Sequence, residues 1–177
     1  MSGQPADSRG VEKSRRNRCP GRVVRIDLGD GTCAYGRQLL GVRVEFYDRV
    51  SQPGQTVDLL DVVRGSVAFT VAVMDQAFRR GGRWELLDVV TLSGEERTAV
   101  YRRAKIDLIS GRLTVYWEDP AAGTWGETPA TLEECLVLEP SAVWGAEQVE
   151  DRLRDHFAHR PNRWLESLRQ PFLDAAT

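Results

Sequence analysis

The sequence predicts an α+β fold that is mainly β: a curved antiparallel sheet or small open barrel with C-terminal helices. Three observations predict it. Apolar and polar residues alternate over repeated short runs between residues 22 and 117, as on strands with a buried face. Glycine-rich turn signals separate those runs. Beyond residue 145 the apolar spacing lengthens to about four residues, the period of an amphipathic helix.

The elements follow in order. Residues 1–20 are polar and aperiodic, with clustered charge. They predict a disordered basic arm, and residues 21–177 a single folded domain. Val24, Ile26 and Leu28 alternate with Arg25 and Asp27 in a first strand, and Gly29-Asp30-Gly31-Thr32 turns it back into a second, Cys33 to Leu40. After Gly41, a third strand sets Val42, Val44 and Phe46 opposite Arg43, Glu45 and Tyr47. Asp48 to Gly65 reads as a connection with at most one short element. Val67, Phe69, Val71 and Val73 form a fourth strand, and further runs cover Trp84 to Val90, Ala99 to Ile106 and Leu113 to Trp117. Asp119-Pro120-Ala121-Ala122-Gly123 is a turn. Val149, Leu153 and Phe157 then mark one helical stripe, ended by Pro161, and Trp164, Leu165 and Leu168 a second short helix before Pro171.

Composition narrows the class. The apolar share of 41% and charged share of 28% are those of a globular chain. No run approaches the ~20 apolar residues of a membrane span, and the N-terminus lacks a signal-peptide core, which predicts a cytoplasmic protein without a membrane partner. Three cysteines, Cys19, Cys33 and Cys135, form no CxxC pair and fit a reducing compartment, with Cys33 and Cys135 read as small core residues. The excess of arginine over lysine reads as genome composition. The net charge of −2 hides a segregation: the arm is basic, whereas the span between Arg112 and Arg152 holds nine acids and no lysine or arginine. That span predicts a negative field.

Motifs for chemistry are weak. Gly29-Asp30-Gly31-Thr32-Cys33-Ala34 fits GxGxxA formally, but it leads into a strand where a dinucleotide site needs a helix N-terminus. His156 and His159 stand three apart without an HExxH frame, and no serine sits in a GxSxG elbow. The expectation is a non-enzymatic protein without cofactor or metal. The arm lacks interleaved aromatics, which disfavours nucleic acid as a partner. Trp84 and Trp117 fall on strand patterns as core residues. Trp125, flanked by glycines within the acidic span, has the character of an interface anchor.

Residues 20–31, PGRVVRIDLGDG, then Tyr35-Gly36-Arg37 and Val44-Glu45-Phe46-Tyr47-Asp48, resemble the opening of the Immunity protein 26 family of bacterial polymorphic toxin systems. Val143-Trp144 leading to Val149-Glu150-Asp151-Arg152-Leu153 is similar to that family's helical end, while residues 50–112 carry no matching motif. The resemblance implies a mainly β immunity protein that binds and neutralises a cognate toxin domain, with no catalytic residues to carry over. Many delivered toxins attack nucleic acids through basic clefts, so an acidic inhibitor face would associate fast. Glu118, Asp119, Trp125, Glu127, Glu133 and Glu134 are accordingly the expected partner-binding residues. The competing expectation, from the hairpin-rich opening, is an SH3-like barrel that binds or cleaves RNA in a toxin-antitoxin system. The acidic span speaks against it.

Overall fold

The computed structural model describes residues 18–79 and 81–175. Most of the expected arm lies outside them, but its last residues hold to the body. Arg18 stacks on the Phe78 ring at 4.9 Å and pairs with Asp75, and the Cys19 N–H donates to Gln38 Oε1 at 2.9 Å.

Strands β1 (Arg22–Asp27), β2 (Cys33–Gln38) and β3 (Arg43–Ser51) form the predicted antiparallel meander. The first turn works because Gly29 and Gly31 take φ of 76° and 86°, a region open to glycine at little cost. Strand β3 runs on past Asp48, where the sequence predicts a connection, because a bulge after Phe46 lets the strand bend and keep pairing. Strands β4 (Val67–Val73), β5 (Glu85–Val89) and β9 (Val143–Trp144) complete a sheet of order β5-β1-β2-β3-β4-β9. Only the β4–β9 pair is parallel.

Both faces of this sheet are covered. On one, Val24, Ile26, Phe46, Phe69 and Val71 pack with Trp84 and Trp144 under helices α4 (Ala146–Phe157) and α5 (Arg163–Asp174), through Val149, Leu153, Trp164 and Leu168. On the other, Val23, Tyr35 and Tyr47 pack under Val62 of the short helix α1 (Leu59–Val63). Simple alternation predicts one buried face. The second is buried because the connection after β3 folds back over it. On the first face Gly36 leaves room for a ring: a Cβ there would lie 2.9 Å from the Phe46 ring.

Strands β6 (Tyr101–Ile106), β7 (Leu113–Asp119) and β8 (Thr124–Pro129) form a separate antiparallel sheet. Its inner face, with Ala104, Ile106 and Leu113, packs on Cys135 of helix α3 (Leu132–Leu136) and on Phe172 of α5. Helix α5 runs through Pro171, where the sequence predicts its end. An interior proline costs about 3 kcal/mol. Phe172, only 4% exposed, recovers about 2–3 kcal/mol by burial.

One segment joins the two sheets. The Ala104 N–H donates to Glu139 O at 2.9 Å, and Ser141 N–H to Ala104 O at 2.7 Å. Two residues on, β9 lies along β4, with Met74 N–H donating to Trp144 O at 2.9 Å. Arg152 of α4 clamps this strap. Its Nη1 and Nη2 donate to the two Glu139 carboxylate oxygens at 2.9 and 2.5 Å, while its guanidinium lies 4.0 Å from the Phe69 centroid and 5.0 Å from that of Trp144. The Arg152 side chain is 8% exposed and that of Glu139 22%, so truncation strips a buried contact and leaves a partly wet carboxylate. Arg152→Ala is expected to cost about 2–4 kcal/mol, less than a fully buried pair, read as a shifted urea midpoint.

A second polar cluster pins helix α2 (Gly94–Thr98) to the sheet. Arg37, 2% exposed, donates through Nε to Glu45 Oε1 at 2.8 Å and pairs with Glu96, and Tyr47 donates its hydroxyl to Glu45. Burial pushes the Glu96 carboxyl up, but the Ser93 N–H and the Arg37 charge outweigh it and hold the group below its ordinary value. A carboxyl depressed on folding adds stability above its unfolded pKa, and this stability drains as pH falls through the folded one. Chemical unfolding between pH 6 and pH 3 is therefore expected to show a shallower acid loss for Glu96→Gln than for the wild type.

Candidate functional site

The outer face of the three-stranded sheet is the candidate site, where residues singled out in the sequence come together. Its register sets three rows across β6, β7 and β8: Tyr101, Glu118 and Trp125; Arg103, Tyr116 and Glu127; Lys105, Thr114 and Pro129. Residues alternate faces along a strand, so these nine share one side, while Ala104, Val115 and Gly126 point to the other. Gly126 is required there: a Cβ would sit 2.8 Å from Trp117 Cζ2. Trp117, expected in the core, is only half-buried, whereas Trp84 is fully buried.

The face grades from closed to open. At the β6 side the Tyr101 hydroxyl donates to Thr70 O of β4 at 2.8 Å, and burial pushes its pKa up to about 12. Arg103 is buried between the Tyr101 and Tyr116 rings, 5.1 Å from each centroid. At the β8 side Trp125 is 70% exposed and stacks on Tyr116 with centroids 6.1 Å apart. Glu118 Oε1 accepts from the Tyr116 hydroxyl at 2.9 Å and from Arg103 at 3.4 Å. Glu127 pairs with Lys105 and accepts from Thr114 Oγ1 at 3.3 Å; the bond from Lys105 holds its carboxyl below the ordinary range. Burial, and then the bond to Glu118, raise the Tyr116 phenol.

Of the residues singled out from sequence, Glu118, Trp125 and Glu127 lie on this face. Asp119 ends β7, where its Oδ1 accepts from Ala121 and Ala122 N–H and shapes the turn into β8. Glu133 and Glu134 stand on α3, beneath the opposite side of the sheet. Glu134 caps its own helix by accepting from Thr131 N–H at 2.8 Å. Tyr101, Arg103, Lys105 and Tyr116 were not singled out. The signal that finds them is period two carried through the 119–123 turn, which pairs Trp125 and Glu127 with Glu118 and Tyr116.

The acidic span is far less negative in space than in sequence. Six of its nine acids are ion-paired: Glu118 with Arg103, Glu127 with Lys105, Glu139 with Arg152, Glu147 and Glu150 with Arg83, and Asp151 with Arg154 and Arg163. The GxGxxA segment is a hairpin turn. His156 Nε2 lies 3.0 Å from Asp48 Oδ1, and among the described residues no group of three or more His, Cys, Asp or Glu could hold a metal. Cys33 and Cys135 are buried free thiols, and burial raises the pKa of both. A cleft of about 470 Å³ collects Arg154, Arg160 and Arg163, but Asp151 and Asp155 already pair with them. Among the described residues no helix is long and apolar enough to cross a membrane.

These features define a mainly β α+β protein built on an open mixed sheet, with a second sheet that presents aromatic and charged side chains to solvent. The family model of Immunity protein 26 matches residues 19–112, just over half of the 177-residue chain. The chain belongs to the Immunity protein 26 family. The match takes in residues 50–112, where no motif is legible in the sequence, and stops before β7, β8 and the C-terminal helices. No curated protein and no solved structure matches the chain. Since Trp125 packs on Tyr116 but is mostly in solvent, Trp125→Ala is expected to move the thermal midpoint little, by a stability change within about 1 kcal/mol. A larger drop in calorimetry would mark the indole as a structural element.

Proposed function

We propose that this chain neutralises a cognate toxin domain by binding it and covering its active surface, and that the outer face of the three-stranded sheet is the contact. The observation that carries the reading is family membership. The exposed Trp125, backed by Tyr116 and Arg103, supports the location, because tryptophan, tyrosine and arginine are the residues enriched at binding hot spots. Glu118 and Glu127 supply the surrounding charge, and Asp119 stands in the turn that closes the face at its end. Glu133 and Glu134 do not share this side of the sheet and are left out of the surface.

The location also suits a division of labour. The family match covers the six-strand scaffold up to the β6–β7 turn, except for β9. Strands β7 and β8 lie beyond it and carry Tyr116, Glu118, Trp125 and Glu127. A shared scaffold with a separately specified face is a natural design for a protein that must recognise one partner. Specificity is a difference of affinities, set by the groups at the contact.

The test is binding and protection against the toxin encoded beside this chain. The combined variant Glu118→Lys and Glu127→Lys is expected to slow association with that toxin's C-terminal domain by about tenfold or more at low salt. It is also expected to abolish protection of cells that express the toxin, with the circular dichroism spectrum unchanged. An unaltered association rate in stopped-flow fluorescence would reject the face as the contact.

A further inference from the structure

We infer that the open face of the Trp125 indole receives an arginine side chain of the toxin; the inference rests on the toxin-binding reading and names the chemistry of its contact. The observation is a ladder of cations and rings that crosses the molecule. Arg43 of β3 lies 5.0 Å from the Tyr101 centroid, Arg103 lies 5.1 Å from both Tyr101 and Tyr116, and Tyr116 stacks on Trp125 at 6.1 Å and 32°. Every ring before the last has a cation against it. The last ring is the one at the edge strand, 70% exposed.

The surroundings favour a cation over any other occupant. Indole is the strongest side-chain acceptor for a cation over its face. Glu118 is the direct cross-strand neighbour of Trp125, and its Oε1 takes both bonds it makes here, which leaves Oε2 without a hydrogen-bond partner among the described residues. A guanidinium stacked on Trp125 can turn its N–H edge to that oxygen, so one group satisfies both the ring and the carboxylate. Lysine cannot do both as well, because its ammonium is a compact point charge that neither stacks nor presents a planar fork. Arg103 already shows this pairing inside the chain: rings on both sides and Glu118 at its Nη2.

Two measurements test the inference. In the first, the full chain carries a ¹⁵N-labelled tryptophan side chain at each of its five positions, with the Trp125 indole resonance assigned from Trp125→Leu. Titration with the blocked peptide acetyl-Gly-Arg-Gly-amide is expected to move that resonance. The same peptide with citrulline, neutral and nearly isosteric, is expected to leave it in place, and Glu118→Gln to weaken the arginine response. No shift, or an equal shift with citrulline, overturns the inference. A Trp125 resonance that moves with protein concentration, or on removal of residues 2–17, would assign the ring to a second copy or to the chain's own arginines and would overturn it too. In the second, the toxin's C-terminal domain is bound to wild type, Trp125→Leu and Glu118→Gln. A loss of affinity of about tenfold for Trp125→Leu, with lysine substitution of one toxin arginine producing a matching loss that is not additive with it, supports the inference. Binding that all variants retain sinks it while the toxin-binding reading stands. Failure of the wild type to bind sinks that reading instead, and the peptide titration then decides the chemistry of the Trp125 face.

Discussion

The fold turns on a single clamp. Arg152 reaches from helix α4 to a strap that pairs with β6 through Glu139 and Ser141 and with β4 through Val143 and Trp144. Without the strap, the sheets of six and three strands would meet through side-chain contacts such as the Tyr101 hydroxyl on Thr70 O, with no backbone pairing between them. The clamp acts by charge and by stacking together: the carboxylate of Glu139 fixes the strap, and the rings of Phe69 and Trp144 desolvate the guanidinium that holds it. Such a pair contributes specificity of arrangement more than raw stability, since an apolar replacement of the same volume can be as stable as an ion pair. Here it sets the position of the small sheet, and so of Trp125, relative to the main body.

Arginine recurs wherever charge is buried. Arg37, Arg43, Arg103 and Arg152 are each buried, and each meets an acid, a carbonyl or an aromatic ring. Its planar, always-charged group can be stacked and hydrogen-bonded at once, which a lysine cannot match. The arginines also explain why the acidic span is muted. Cations from Arg83 to Arg163 converge on it, so the surface that remains is characterised by rings and by local carboxylates more than by a broad negative field.

Much of the architecture was legible because it rests on local rules. The Gly29–Thr32 turn, the period-two runs of β1 to β4 and the stripe Val149, Leu153, Phe157 each specify an element from adjacent residues. What escaped depends on partners distant in sequence. Strand β8 reads Thr-Trp-Gly-Glu-Thr-Pro, where Gly, Glu and Pro disfavour a strand and no apolar alternation marks one, and it is held by its pairing with β7. The passage of α5 through Pro171 depends on a pocket for Phe172 between Ala104 and Cys135. The candidate site was half legible for the same reason. Trp125, Glu118 and Glu127 stand out by composition, whereas Arg103 and Tyr116 gain meaning only once register places them beside the indole. Glu133 and Glu134 were attractive as neighbours in sequence, but the helix that carries them lies under the other side of the sheet.

The position of β9 has a consequence for how the molecule comes into being. The large apolar face formed by β1 to β5 is sealed by Trp144, Val149 and Leu153, which are synthesised long after those strands. A nascent chain that has made only the meander and β4 exposes Val24, Ile26, Phe46 and Phe69 and has no partner for the outer edge of β4. Contacts this distant along the chain close slowly, because loop entropy is lost before they form. An N-terminal half on its own would therefore leave part of this apolar face uncovered and the β4 edge unpaired, the features that promote aggregation.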